Sequence, residues 1–156
     1  METFGIQSPS HLLSEIETAL AELRTLRGTT FRNVFFVLSG LNHLREWIAP
    51  GYKHKKPAKT AAERFSNLIH DTCPEWTIVN SLCNGLKHFD RMNHVTSDNA
   101  SQRLADFHSL SGVTSLAHGH PQKFTVDGQD ILEIFDATRK FYVENWFAKQ
   151  HKNEVT

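Results

Sequence analysis

The chain has 156 residues, and its 17 basic and 17 acidic residues leave no net charge at neutral pH. This length fits one domain over residues 1–156 that can bury a core without disulfides or metal. The balanced charge gives no support for nucleic-acid binding through bulk electrostatics, so only a local basic cluster could serve that purpose.

Cysteine usage and the first residues indicate the compartment. Cys73 and Cys83 stand apart from any CxxC or CxH pair, which favours a reducing environment. The opening segment METFGIQSPS lacks the basic and apolar regions of a secretory signal, and no apolar run is long enough to cross a bilayer. We therefore expect a cytoplasmic protein that does not contact membranes.

Two helices are predicted in the first third of the chain. Ser8 is a candidate N-cap and Pro9 suits the first helical position, and apolar residues recur at helical spacing over 12–26. A second apolar periodicity covers 31–48 and is ended by the Pro50-Gly51 pair.

A basic surface loop is predicted over residues 51–59, because this stretch contains glycine, proline and lysines but no apolar face. It is the only basic cluster of the chain, and its lysines are the candidate contacts to nucleic-acid phosphates: Lys53, Lys55, Lys56 and Lys59.

Capping signals predict two further helices. Thr60 and Glu63 have the spacing of a capping box, which begins a third helix. Pro74 suits the first turn of a fourth helix that is expected to run toward Phe89.

The last third of the chain is predicted to form a β-ribbon and then the last helix of the bundle. Segments 107–117 and 123–126 are β-branched or alternating, Asp127-Gly128 is a turn signal, and an aromatic-rich helical periodicity covers 131–147. The expected fold is all-α, a bundle of about five helices with a small β-ribbon between the fourth and fifth helices.

The end of the fourth helix gathers the residue types that RNA cleavage needs. Lys87 and Arg91 share one helical face, and Asn84 and His88 share another. A cation beside a neutral imidazole could hold a phosphate while the imidazole moves a proton from the 2′-hydroxyl. The alternative is structural, because cations favour the C-terminal end of a helix.

His43 is the last candidate catalytic residue. It lies near the end of the second helix, where it could face His88 across the bundle as an acid–base pair. The alternative is a hydrogen-bonded histidine with a structural role.

The segment Asn84-Gly85-Leu86-Lys87-His88-Phe89, within a helical layout, resembles the HEPN superfamily of helical-bundle proteins, many of them associated with bacterial defence or toxin–antitoxin systems. Over most of its length the chain also resembles a group of uncharacterised bacterial proteins of similar length. That second resemblance rests on His43-Leu44-Arg45-Glu46-Trp47, the same Asn84–Phe89 segment, and Val126-Asp127-Gly128 with the aromatic residues that follow.

The resemblance implies an arginine, a polar residue and a histidine at a dimer interface. With His88 as the histidine, Asn84 matches the polar residue but Cys83 replaces the arginine. A thiol cannot supply a permanent cation, so cleavage would need Lys87 or Arg91, and a non-catalytic member is favoured. Arg64…His70 and Arg103…His108 match the spacing but lack the polar residue.

No metal or cofactor is predicted. His118-Gly119-His120 could bind an ion together with His88, His94 or His108, but no third ligand stands at a diagnostic spacing. Two hypotheses follow. The first is a HEPN-like homodimer that binds RNA, or cleaves it without metal. The second is a non-catalytic homo-oligomeric module for protein interaction.

Overall fold

The computed structural model describes residues 5–25, 31–87, 125–126 and 129–150. These residues form α1 (Pro9–Leu23), α2 (Phe31–Ile48), α3 (Ala61–Thr72), α4 (Pro74–Lys87), β1 (Thr125–Val126), β2 (Gln129–Asp130) and α5 (Ile131–Tyr142). A π-helical segment, Val143–Phe147, continues α5. The predicted all-α bundle with a ribbon between its fourth and fifth helices is confirmed.

Local capping chemistry sets the starts of the helices. The Ser8 hydroxyl accepts a hydrogen bond of 3.1 Å from the backbone N–H of His11, and Pro9 occupies the first position of α1. At α3, the Thr60 hydroxyl accepts from the Glu63 N–H at 3.1 Å and the Glu63 carboxylate accepts from the Thr60 N–H at 2.9 Å. This reciprocal pair is the predicted capping box.

The central helix of the described bundle is α2, which packs against α1, α3, α4 and α5. Its apolar side chains at helical spacing are 0% exposed: Val34, Val37, Leu38, Leu41 and Leu44. Asn33 near the start of α2 donates to Glu22 near the end of α1, and Gly40 lies against Ile16 in the middle of both helices. The two helices are therefore antiparallel.

The β-ribbon is a short antiparallel pair in which Thr125 is opposite Asp130 and Val126 is opposite Gln129. Its second strand is 129–130, and the predicted strand segment 107–117 lies outside the described residues. The Asp130 carboxylate accepts a hydrogen bond of 2.9 Å from the Leu132 N–H. The ribbon therefore leads directly into the N-cap of α5.

Aromatic packing and two ion pairs fix α5 on the bundle. The Phe65 ring of α3 lies 5.6 Å from the Tyr142 ring and 5.5 Å from the Trp146 ring, centroid to centroid. The Arg139 guanidinium is 2.9 Å from the Glu17 carboxylate of α1. Arg24 and Asp136 form the second ion pair between α1 and α5. No helix of the described ranges has both the length and the hydropathy required to cross a membrane.

Replacing Gly40 with alanine should lower the free energy of unfolding. A Cβ atom at Gly40 would lie 2.7 Å from Cγ1 and 3.0 Å from Cδ1 of the fully buried Ile16. The gain in helix propensity of about 1 kcal/mol is smaller than the overpacking cost of about 2 kcal/mol, so we expect a net loss of about 1 kcal/mol in urea denaturation. Arg32→Ala, at an exposed position of the same helix, is the control and should change stability by less than about 0.5 kcal/mol. A Gly40→Ala protein more stable than the parent would contradict the close approach.

The capping box of α3 should make stability depend on pH. Hydrogen bonds from the backbone N–H groups of Thr60 and Lys59 lower the pKa of the Glu63 carboxyl below its usual 4.5. A lowered pKa in the folded state means that the carboxylate stabilises the fold above pH 4.5, and that this contribution is lost as the pH falls through the lowered pKa. The melting temperature of the parent should exceed that of Glu63→Gln at neutral pH, and the difference should shrink on acidification. A difference that stays constant between neutral and strongly acidic pH would contradict this assignment.

Candidate functional site

The loop between α2 and α3 is fastened to α3 through Tyr52. The Tyr52 hydroxyl accepts a hydrogen bond of 2.8 Å from the side-chain amide of Asn67 and donates to the backbone carbonyl of Lys56. The predicted phosphate-contacting lysines of this loop are all exposed: Lys53, Lys55, Lys56 and Lys59. The anchor therefore holds the backbone in place while the four ammonium groups remain in solvent.

Two imidazoles and one carboxylate, which we call the histidine cluster, meet beside this loop: His54, His70 and Asp71. The His54 Nε2 atom is 2.7 Å from Oδ1 of Asp71, and the His70 Nδ1 atom is 3.6 Å from the same oxygen. The rings of His54 and His70 stack with their centroids 3.5 Å apart and their planes 15° from parallel. Each residue offers one atom that could bind a metal ion, and these three atoms lie within 4.8 Å of one another.

The environment disfavours the protonated form of His70. Partial burial lowers the pKa of the His70 imidazole, and the neighbouring His54 lowers it further, while Asp71 opposes both effects. The indole of Trp76 packs against the His70 ring at 5.6 Å between centroids. The cluster is thus backed by an aromatic side chain that is itself buried.

Arg45, in the last turn of α2, lies behind the same loop. Its guanidinium carbon is 5.5 Å from the centroid of the Trp76 ring, and Nη1 donates a hydrogen bond of 2.9 Å to the Ser66 hydroxyl. Among the described residues no carboxylate forms a salt bridge with Arg45, and its Nε atom is buried without a hydrogen-bond partner. A half-buried cation therefore carries charge that the described part of the protein does not neutralise.

Arg45 opens onto a surface groove of about 1140 Å³, which we call the Arg45 groove. The end of α2 and the following loop line it: Arg45, Glu46, Trp47, Pro50, Gly51, Tyr52, Lys53 and His54. Its one acidic side chain, Glu46, has its carboxylate 3.0 Å from Nδ1 of His43. The groove thus combines cations with the rings of Trp47 and Tyr52, and His54 belongs to both the groove and the histidine cluster.

The predicted catalytic residues are described only in part. His43 lies on α2 with its ring bonded to Glu46, and the Asn84 amide donates a hydrogen bond of 3.2 Å to Asn80 on the exposed side of α4. Lys87 is the last residue of α4. Cys83, at the position where the HEPN pattern has arginine, is buried with 2% of its surface exposed.

Other predicted residues lie outside the described ranges. His88 and Arg91 follow the last described residue of α4, and His118 and His120 belong to the stretch between α4 and β1. The predicted pairing of His43 with His88 therefore stays a prediction, as does a metal role for the two later histidines.

Comparison with known proteins adds no relative. The chain matches no protein-family model, no curated protein and no solved structure. The resemblance to HEPN proteins therefore remains a hypothesis based on the sequence.

Sequence reasoning selected the loop lysines but missed the residues that meet around them. His54 and Asp71 received no role, and Arg45 was named only within the segment His43–Trp47 that carries the second resemblance. His70 drew attention solely as the end of an Arg64…His70 spacing, yet Arg64 instead donates to the Lys59 carbonyl at 3.3 Å. The sequence carries no local signal of this cluster, because 16 positions separate His54 from His70 and only the tertiary fold brings them together.

Loop charge and loop anchoring should affect stability differently. Replacing all four loop lysines with serine should change the free energy of unfolding by less than about 0.5 kcal/mol, because exposed side chains contribute little. Tyr52→Phe should cost about 1 kcal/mol, because the Asn67 amide loses its hydrogen-bond partner. Urea denaturation of both variants checks the contrast. A large loss of stability in the lysine variant would show that these side chains pack against the protein.

Proposed function

We propose that this protein binds single-stranded RNA in the Arg45 groove, as a HEPN-like protein that does not cleave it. One observation carries the proposal: Arg45 lies half-buried in an open groove without a carboxylate partner among the described residues. Burying a cation without a paired anion is costly unless a ligand supplies the negative charge. A phosphate group in the groove would supply that charge.

The side chain at this position suits a phosphate. A guanidinium presents several N–H donors in a planar fork that matches phosphate oxygens, and it keeps its charge at any physiological pH. The contacts of Arg45 with Ser66 and Trp76 hold that fork in one place. Because the side chain is already ordered, little conformational entropy remains to be lost when a ligand binds.

The rest of the groove suits a single strand. Proteins that bind single-stranded nucleic acid combine a cationic track for the backbone with aromatic rings on which bases stack. Trp47 and Tyr52 supply rings within the groove, and Lys53 extends the cationic side toward the exposed lysines of the loop. This local arrangement overcomes the objection that the whole chain carries no net charge.

Binding without cleavage is favoured by Cys83. The HEPN pattern places an arginine there, whereas this thiol is buried and cannot contact a phosphate on the surface. Cleavage would need Lys87 or Arg91 to supply the positive charge of the missing arginine.

The proposal is tested by fluorescence anisotropy with a labelled single-stranded RNA of mixed sequence. The variant combines Lys53→Gln, Lys55→Asn, Lys56→Gln and Lys59→Gln; asparagine suits position 55, where φ is 71°. We expect binding at least about tenfold weaker at low salt, and a salt dependence whose slope falls by about 3, since each phosphate contact to a single strand contributes about 0.7.

Lys140→Gln with Lys149→Gln is the control, because it removes two exposed lysines distant in sequence from the groove. An equal loss for each lysine removed, two in the control and four in the loop variant, would mean that RNA binds by charge alone and would contradict a site in the groove. Gel analysis of the same RNA in EDTA should show it intact. Cleavage that disappears in a folded His88→Ala variant would overturn the non-catalytic assignment.

A further inference from the structure

We propose that the histidine cluster is a binding site for a divalent transition metal, and specifically for Zn²⁺, with His54, His70 and Asp71 as its ligands. This inference does not rest on the proposed RNA binding, although His54 also lines the Arg45 groove. It lies where the loop between α2 and α3 meets the last turn of α3.

The distances in the cluster suit such an ion. Zinc binds imidazole nitrogen and carboxylate oxygen at about 2.0–2.2 Å in tetrahedral sites, which places neighbouring ligand atoms roughly 3.4 Å apart. The Asp71 oxygen is 2.7 Å from the His54 nitrogen and 3.6 Å from the His70 nitrogen, values on either side of that separation. All three ligand atoms lie within 4.8 Å of one another, so side-chain movements on the order of an ångström would bring them to this separation.

The chemistry of the three side chains selects the class of metal. Two imidazoles and one carboxylate form a borderline set that suits zinc and its neighbours in the first transition row, whereas calcium and magnesium prefer oxygen ligands alone. The side chain of Asp71 is 57% exposed and that of His54 is 18% exposed, so one side of the cluster faces solvent. Water can occupy the fourth coordination position there, as in zinc sites with three protein ligands.

The fold holds the three ligands together before any ion binds. His70 and Asp71 are consecutive residues near the end of α3, and the chain turns at Cys73 before α4 begins. Trp76 of α4 packs against the His70 ring, and the Tyr52 anchor fixes the loop that supplies His54. Ligand positioning by packing and hydrogen bonds of this kind strengthens metal affinity.

The test is calorimetric titration of the full chain with ZnCl₂. We expect saturable binding of zinc at this site, weakened at least about tenfold by each of His54→Gln, His70→Gln and Asp71→Asn. The matched control is His118→Gln with His120→Gln, which removes the other histidine pair considered as metal ligands and should leave the affinity unchanged. Circular dichroism of each variant confirms that it is folded.

A second readout does not depend on heat. Zinc should slow tryptic cleavage after Lys53 and Lys55, because a bound His54 ties the loop more firmly to α3, and Asp71→Asn should abolish this protection. The loop-lysine variant made for the RNA experiment should retain zinc affinity, so failure of RNA binding leaves this proposal standing. Absence of saturable binding, or an affinity equal to the parent in all three ligand variants, would overturn it.

Discussion

The burial of α2 is the constraint on which the rest of the described structure depends. Its apolar face contacts four other helices, and the helical spacing that buries Leu41, Leu44 and Ile48 also directs position 45 toward the interior. Arginine stands at that position, where an apolar residue would be expected. The surroundings accept it because the guanidinium lies over Trp76, donates to Ser66 and reaches the groove at the end of the helix.

This arrangement connects four helices around one cation. Ser66 belongs to α3, Trp76 to α4, and the fully buried Tyr142 of α5 donates a hydrogen bond of 2.8 Å to the Leu41 carbonyl of α2. Burial raises the pKa of the Tyr142 phenol far above its ordinary value, so the hydroxyl keeps its proton at physiological pH. The lining residues of the groove come from the end of α2 and from the loop that follows it, and the packed helices behind Arg45 hold that end of α2 in place.

Sequence reasoning succeeded where structure is decided locally. Ser8-Pro9, the Thr60–Glu63 capping box and Pro74 each specify a helix start through their own hydrogen bonds or fixed φ, and the structure has helices starting there. The predicted end of α1 was less accurate, because apolar residues at helical spacing extend to Leu26 whereas the helix ends at Leu23. Strands of two residues, such as Gln129–Asp130, are too short for an alternating pattern to reveal them.

The candidate site could not be found in the same way. His70 and Asp71 are adjacent, and neighbouring residues of a helix point in directions about 100° apart, so their spacing does not suggest a shared ligand. Only the return of the loop brings His54 to both of them. Arg45 likewise looks like an ordinary basic residue near a helix C-terminus, where cations are favoured, until the packing shows which way it faces.

His54 is the physical connection between the two proposed ligands, because it lines the Arg45 groove and belongs to the histidine cluster. Binding equilibria that share a residue are coupled, and the coupling must be equal in both directions. A zinc ion would add positive charge near the groove, but exposed charges are screened over about 8 Å at physiological ionic strength. The larger effect would come from the loop itself, since fixing His54 also fixes the adjacent Lys53 at the rim. Coupling between metal and RNA would therefore act by ordering a cationic rim, and the ion would strengthen RNA binding mainly by reducing its entropic cost.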